Sequence, residues 1–141
     1  MARTQAVYYR DEHGVEPVYE FLEALPVKRR AKISEFVDEY LNDRAPDTPP
    51  AEFPITSQVD GELRELRVRF ARTRYRLLYQ RSDNLIVLLH AIEKHTGAIP
   101  QAAIDLARSR MDTFTRRMNE SPRVPPRAAG QDAPAPRRRK A

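Results

Sequence analysis

The sequence predicts an α+β domain: a leading strand, a two-helix hairpin, a three-stranded antiparallel meander and a C-terminal helix. Three observations carry this expectation. Apolar residues recur at helical spacing in three stretches, alternate with arginine at period two through residues 64–81, and the twelve prolines all fall between or beyond these stretches. A chain of 141 residues is long enough for one domain with its own core and too short for two ordinary ones.

Residues 5–10 (QAVYYR) suit the first strand. Val18, Phe21, Leu22 and Leu25 lie at i, i+3, i+4 and i+7 behind Pro17, which is well placed as a first helical residue, so a short helix should end near Pro26. Ile33, Phe36, Val37, Tyr40 and Leu41 repeat the spacing and predict a second helix over about 27–41. Residues 45–61 hold Pro46, Pro49, Pro50 and Pro54 and read as a long unstructured loop, whose length makes it suspect of function.

The sheet is expected at 64–70, 74–81 and 85–94. Leu66, Val68 and Phe70 alternate with Arg67 and Arg69, and Tyr75, Leu77 and Tyr79 alternate with Arg74 and Arg76, so each strand carries an apolar face and an arginine face. The apolar faces coincide only if the connecting loop holds an even number of residues, and four arginines then gather on one side. Residues 85–92 are apolar apart from His90, as expected of a central strand covered on both faces. A three-residue loop at 82–84 with Asn84 left-handed would set Arg76 opposite His90, with Ile92 and Lys94 on the same face. Ile104, Ala107, Met111, Phe114 and Met118 form a third helical stripe beginning near Pro100.

Charge is informative once divided along the chain. Residues 121–141 carry six basic side chains against one acidic, which accounts for the whole net charge of +5. The rest is neutral but lopsided, with eleven acids and five bases in 11–52, and seven arginines against Glu62 and Glu65 in 61–81. The tail from Ser121 has Val124 as its only large apolar residue and five prolines, so the folded domain is expected over 1–120 and a disordered basic Pro/Arg-rich tail over 121–141. With no cysteine there is no disulfide framework and no thiol nucleophile. No stretch approaches the roughly 20 apolar residues that span a bilayer, and the first residues lack a signal-peptide pattern; the expectation is a cytoplasmic protein with no membrane partner.

Guanidinium groups bind phosphate oxygens bidentately and keep their charge, so several on a rigid sheet suit RNA backbone and the charge that develops at phosphorus during cleavage. Arg67 and Arg76 are the candidate catalytic arginines, and Arg69 and Arg74 the candidate RNA-binding ones. His90, Lys94 and His95 supply groups able to move protons near neutral pH, although a lone histidine in an apolar strand is more often a hydrogen-bonded structural one than a catalyst. Tyr75, between two arginines, reads as cross-strand packing or as a base-stacking platform. No cluster at metal-ligand spacing is present, and neither metal nor cofactor is expected.

Several of these motifs recur together in a known family. The segment ELRELRVRFARTRYRLLYQR, followed by LIVLLHAIEKHTGAIPQAAIDLARSRMDTF, resembles the phage-derived, HigB-like branch of the RelE/ParE toxin superfamily. The matching motifs are Glu65-Leu66-Arg67, Tyr75-Arg76-Leu77-Leu78-Tyr79, His90 with Lys94, the Lys94-His95-Thr96 turn, and a helix opening after Pro100. The resemblance spans about 7–114 and implies the small RelE-like fold. It further implies the toxin of a type II toxin-antitoxin system, an mRNA endoribonuclease acting on the ribosome and inhibiting translation, held in check by a helix-turn-helix, HigA-like antitoxin. It assigns roles to Arg67, Arg76 and Lys94; the chain departs from the family in having His95 where a second lysine is usual. Two other readings stay open: a ParE-like gyrase inhibitor acting by protein contact, and a non-catalytic RNA-binding phage-derived protein.

Overall fold

Helices cover both faces of one sheet, whose strand over residues 85–92 is apolar on both sides apart from His90. The computed structural model describes residues 2–93, 97–120 and 124–131. Strand β1 (Gln5–Tyr8) leads into helices α1 (Pro17–Glu23) and α2 (Val27–Tyr40). These are followed by β2 (Thr56–Asp60), β3 (Leu63–Phe70), β4 (Thr73–Ser82), β5 (Leu85–Glu93) and helix α3 (Gln101–Met118). The strands form a mixed sheet in the order β1-β5-β4-β3-β2, with β1 parallel to β5 and the other neighbours antiparallel.

The helices begin and end where their prolines require. Pro17 opens α1, where its missing N–H is no loss, and Pro26 caps α2 at φ −54° after α1 has ended. Pro100 precedes α3 in extended conformation, and Arg116 and Arg117 in the last turn suit the negative end of the helix dipole. Val18 and Leu22 of α1 and Ile33 and Val37 of α2 pack on one side of the sheet against Leu66, Val68, Tyr75, Leu77 and Leu88. On the other side Ala107, Met111 and Phe114 of α3 cover Val7, Leu78, Val87 and Leu89. Leu66, Leu77 and Leu88 are 0 % exposed, and enclosing a side chain of that size stabilises the fold by about 2 kcal/mol each.

The α+β class and the predicted element order hold, with three corrections. Residues 45–61 are not wholly irregular: Thr56–Asp60 adds a fifth strand on the free edge of β3, with Thr56 opposite Leu66. Its sequence, TSQVD, is short and polar, because as an edge strand it is covered on little of its surface. The β4–β5 connection is a two-residue turn with Asp83 at φ 53°, and a bulge at Leu78/Tyr79 offsets the pairing. His90 therefore stands opposite Leu78, and Arg76 opposite Ile92. The offset from the expected register is two residues, so Arg76 and His90 keep the same face.

The third correction concerns the tail. Residues 124–131, expected to be disordered, lie along the outer edge of β1, with Ala128 bridged to Val7. The Tyr8 amide donates to the Arg127 carbonyl, the Ala129 amide donates to Ala6, and Ala129 is only 3 % exposed. The Arg127 guanidinium lies 2.9 Å from the Glu16 carboxylate and stacks over the rings of Tyr19 and Tyr8, with centroids at 4.2 and 4.8 Å. The segment adheres through backbone pairing and one enclosed ion pair, neither of which depends on apolar content.

Gly130 allows this edge to close. Its φ is +131°, and a Cβ there would stand 2.1 Å from Asp38 Oδ1. Gly130→Ala should lower stability by about 2 kcal/mol, read from the urea midpoint. Arg127→Ala, which strands the enclosed Glu16 carboxylate, should cost about 3 kcal/mol. Midpoints equal to the parent protein's would show the segment to be a passive attachment.

Candidate functional site

The β3–β4 hairpin builds the site. Phe70 pairs with Thr73 across the two-residue turn Ala71-Arg72, and Ala71 accepts φ 53° to make it. An even loop keeps the strands in phase, so Leu66, Val68, Tyr75 and Leu77 enter the α1/α2 core together. The opposite face then receives two arginine pairs in direct register, Arg67 across from Arg76 and Arg69 across from Arg74. Like charges set directly opposite each other destabilise a sheet, so this arrangement has to be compensated.

Glu65 supplies the compensation. It lies two residues before Arg67 on the same face, is 3 % exposed, and its Oε1 accepts from the Arg67 guanidinium at 3.2 Å and from the Ser57 hydroxyl at 3.0 Å. Its Oε2 stands 3.9 Å from Arg76 Nη1, near enough for Coulombic attraction and too far for a hydrogen bond. Arg76 is 5 % exposed and donates from Nη1 to the Gly97 carbonyl at 2.8 Å. Gly97, at φ 89°, takes a left-handed conformation that a side chain would strain.

These groups line an open cavity of about 280 Å³, with Gln58, Val59, Ala98, Ile99 and Ile104 on its other sides. Two enclosed polar atoms beside it, Arg76 Nε and Glu65 Oε2, have no hydrogen-bond partner among the described residues. One is a donor and the other an acceptor. Buried polar groups in folded proteins are nearly always paired, so an unmet donor and an unmet acceptor at one cavity call for explanation. At the mouth the Arg67 guanidinium lies over the ring of Phe53, 4.9 Å from its centroid. Arg69 is exposed and Arg74 half-buried, so the positive charge continues from the cavity toward the turn.

The matched segment now decides the family. Residues 20–112, about two thirds of the chain, match the family described as Phage derived protein Gp49-like (DUF891). The chain belongs to the phage-derived Gp49-like family. That agrees with the resemblance at the level of a toxin-like family of the RelE/HigB type. No curated protein matches it.

In this Gp49-like chain the four candidate arginines share a face, as the alternation required, but the other candidates part company. Tyr75 is 1 % exposed and belongs to the α1/α2 core, set edge-on to Phe21 at 6.2 Å, with its hydroxyl accepting from Arg29 at 2.8 Å. It lies on the opposite face from the arginines, and the base-stacking reading is withdrawn. Lys94 and His95 lie outside the described residues. His90 shares the arginine face but stands on β5 two strand spacings from Glu65, roughly 10 Å, with Leu78 between them. Its Nδ1 lies 3.3 Å from the Arg110 guanidinium, which also donates to the Leu89 carbonyl at 2.7 Å. Among the described residues no group of three or more His, Asp or Glu is placed to hold a metal ion, and no helix is long and apolar enough to cross a membrane.

Glu65 is the residue the sequence reading passed over. The sequence offered it only as part of the Glu65-Leu66-Arg67 motif; the register of β2 and β3, which sets Ser57 opposite it, shows it to be enclosed. His90 yields a direct test of its surroundings. Burial first, and the adjacent Arg110 charge second, push its imidazole below the ordinary value of 6.5. The unfolded chain then binds the extra proton, so the contribution of His90 to stability is complete above 6.5 and is lost as pH falls through the folded value. An imidazole NMR titration should place His90 below 6.5 and move it upward in Arg110→Ala. Titration at or above 6.5 in the folded protein would contradict this placement.

Proposed function

We propose that this Gp49-like chain is the toxin of a type II toxin-antitoxin system, cleaving messenger RNA at the Glu65–Arg67–Arg76 cavity and so inhibiting translation on the ribosome. The observation that carries the reading is the Arg67–Arg76 pair, set in direct register along that cavity beside the Glu65 carboxylate. A ribose 2′-hydroxyl next to a phosphodiester offers the complementary set, a proton to give and anionic oxygens to accept.

The chemistry follows from that pairing. Glu65 takes the proton of the 2′-hydroxyl through Oε2, with Ser57 fixing the other carboxylate oxygen. The 2′-oxygen attacks the adjacent phosphorus, the bond to the 5′-oxygen breaks, and a 2′,3′-cyclic phosphate is left. Arg67 and Arg76 neutralise the charge gathering on the non-bridging oxygens, held in place beforehand by Glu65 and the Gly97 carbonyl. Arg69 and Arg74 hold the flanking backbone. The departing 5′-oxygen needs a proton, for which Lys94 and His95 are the candidates. His90 faces Arg110 rather than the cavity and is assigned a structural role. A helix-turn-helix antitoxin is the proposed partner.

Removing one preorganised donor to a developing oxyanion costs about a hundredfold or more in rate. Arg67→Ala and Arg76→Ala should therefore relieve growth arrest, and sequencing of RNA ends after brief induction should show the cuts gone. Circular dichroism on both variants separates lost chemistry from lost folding, with Arg67 the safer position because it is the less enclosed. Full toxicity in a folded Arg67→Ala, Arg76→Ala double variant would refute the assignment. Intact RNA together with DNA damage in cells expressing the parent protein would favour gyrase inhibition instead.

A further inference from the structure

The proline-rich stretch before β2 presents an aromatic ring to the arginine cavity. Phe53 is 69 % exposed, among the most exposed large apolar side chains described. A single exposed phenylalanine is unremarkable by itself. This one differs in its support and in its neighbour. The Ile55 amide donates to the Glu52 carbonyl at 3.0 Å, closing a tight turn around Phe53 and Pro54. The Arg67 amide donates to the Ile55 carbonyl at 2.8 Å, fastening that turn to β3. Upstream, the Arg44 guanidinium holds the Tyr40 and Pro49 carbonyls, each at 2.8 Å, and the Thr56 hydroxyl donates to the Ala51 carbonyl. The ring is thus held out by a hydrogen-bonded scaffold, and one face of it lies against the guanidinium of Arg67.

We infer that Phe53 is a stacking platform for a nucleobase beside the phosphate seat, an inference that rests on the proposed RNA reading. A guanidinium sandwiched on an aromatic ring keeps its edge donors available for phosphate, because the stack uses only its face. A nucleotide whose phosphate is gripped by Arg67 and Arg76 brings its base within reach of this ring. Stacking on an aromatic side chain favours any base over none, so the platform distinguishes a single strand with accessible bases from a paired one. It supplies the aromatic surface that Tyr75, enclosed on the other face, does not.

The chain has no tryptophan, so Phe53→Trp introduces a single tryptophan at the site, excited apart from the six tyrosines at long wavelength. Probes are a short single-stranded oligonucleotide with 2′-O-methyl riboses, which cannot be cut, and an abasic strand of equal length. The oligonucleotide should quench the Phe53→Trp emission and the abasic strand should leave it nearly unchanged. Phe53→Ala should bind the base-bearing strand about tenfold more weakly than the parent protein and the abasic strand equally well. Equal binding of both strands by the parent and by Phe53→Ala would overturn the platform, while loss of that binding in Arg76→Ala would leave the phosphate reading standing. Failure of the parent protein to bind either strand would overturn both.

Discussion

Two arginine pairs facing each other across adjacent strands are the constraint around which this molecule is arranged. Arg67 opposite Arg76 and Arg69 opposite Arg74 bring four fixed positive charges together on one sheet face, where neighbouring pairs of like charge oppose folding. A single carboxylate, Glu65, is enclosed with the inner pair, and it engages Arg67 closely and Arg76 only at 3.9 Å. Positive charge is left over, most of it at the open end of the block. An anion with several acceptor oxygens would relieve that excess, and phosphodiesters are the abundant anions of that shape.

The remaining architecture holds this block still. β5 pairs along most of β4 and is itself covered by α3 and by α1, so the strands carrying the arginines cannot flex independently of the core. β2 closes the outer edge of β3 and brings Ser57 to Glu65, and the turn before it delivers Phe53 to Arg67. At the far edge, residues 124–131 pair with β1 and insert Arg127 between Glu16 and two tyrosine rings. At the β1 edge a short segment of the chain itself thereby takes up backbone groups through which sheets associate, while the short, polar β2 forms the other edge.

Much of this was legible in the sequence because period-two alternation is a strict geometric code. Arg67, Arg69, Arg74 and Arg76 had to share a face once the loop between their strands was even, and Pro17 and Pro100 marked helix starts and Pro26 a helix end by their own covalent restriction. What could not be read was anything decided by register between distant segments. The two-residue turn and a bulge that leaves Leu89 of β5 unpaired each moved the register by one, taking His90 from Arg76 to Leu78, and nothing local to LLHA signals an extra residue. The enclosure of Glu65 and the choice between the two readings of Tyr75 were undecided for the same reason. Alternation tells which side a residue takes, whereas its burial depends on what crosses that side: β2 and the 97–99 segment over Glu65, α1 over Tyr75. The edge segment 124–131 escaped notice because backbone pairing leaves little compositional trace.

If the enclosed carboxylate and its two arginines form a seat for a phosphate, a ligand of that chemistry must reach them. The most direct measurement is a titration of the arginine side-chain NMR signals with a nucleoside 2′,3′-cyclic phosphate, the product of the proposed cut. The Nε–H resonances of Arg67 and Arg76 should shift together and saturate at one concentration. Movement confined to exposed arginines such as Arg69, Arg72 or Arg81, with the inner pair unmoved, would contradict it.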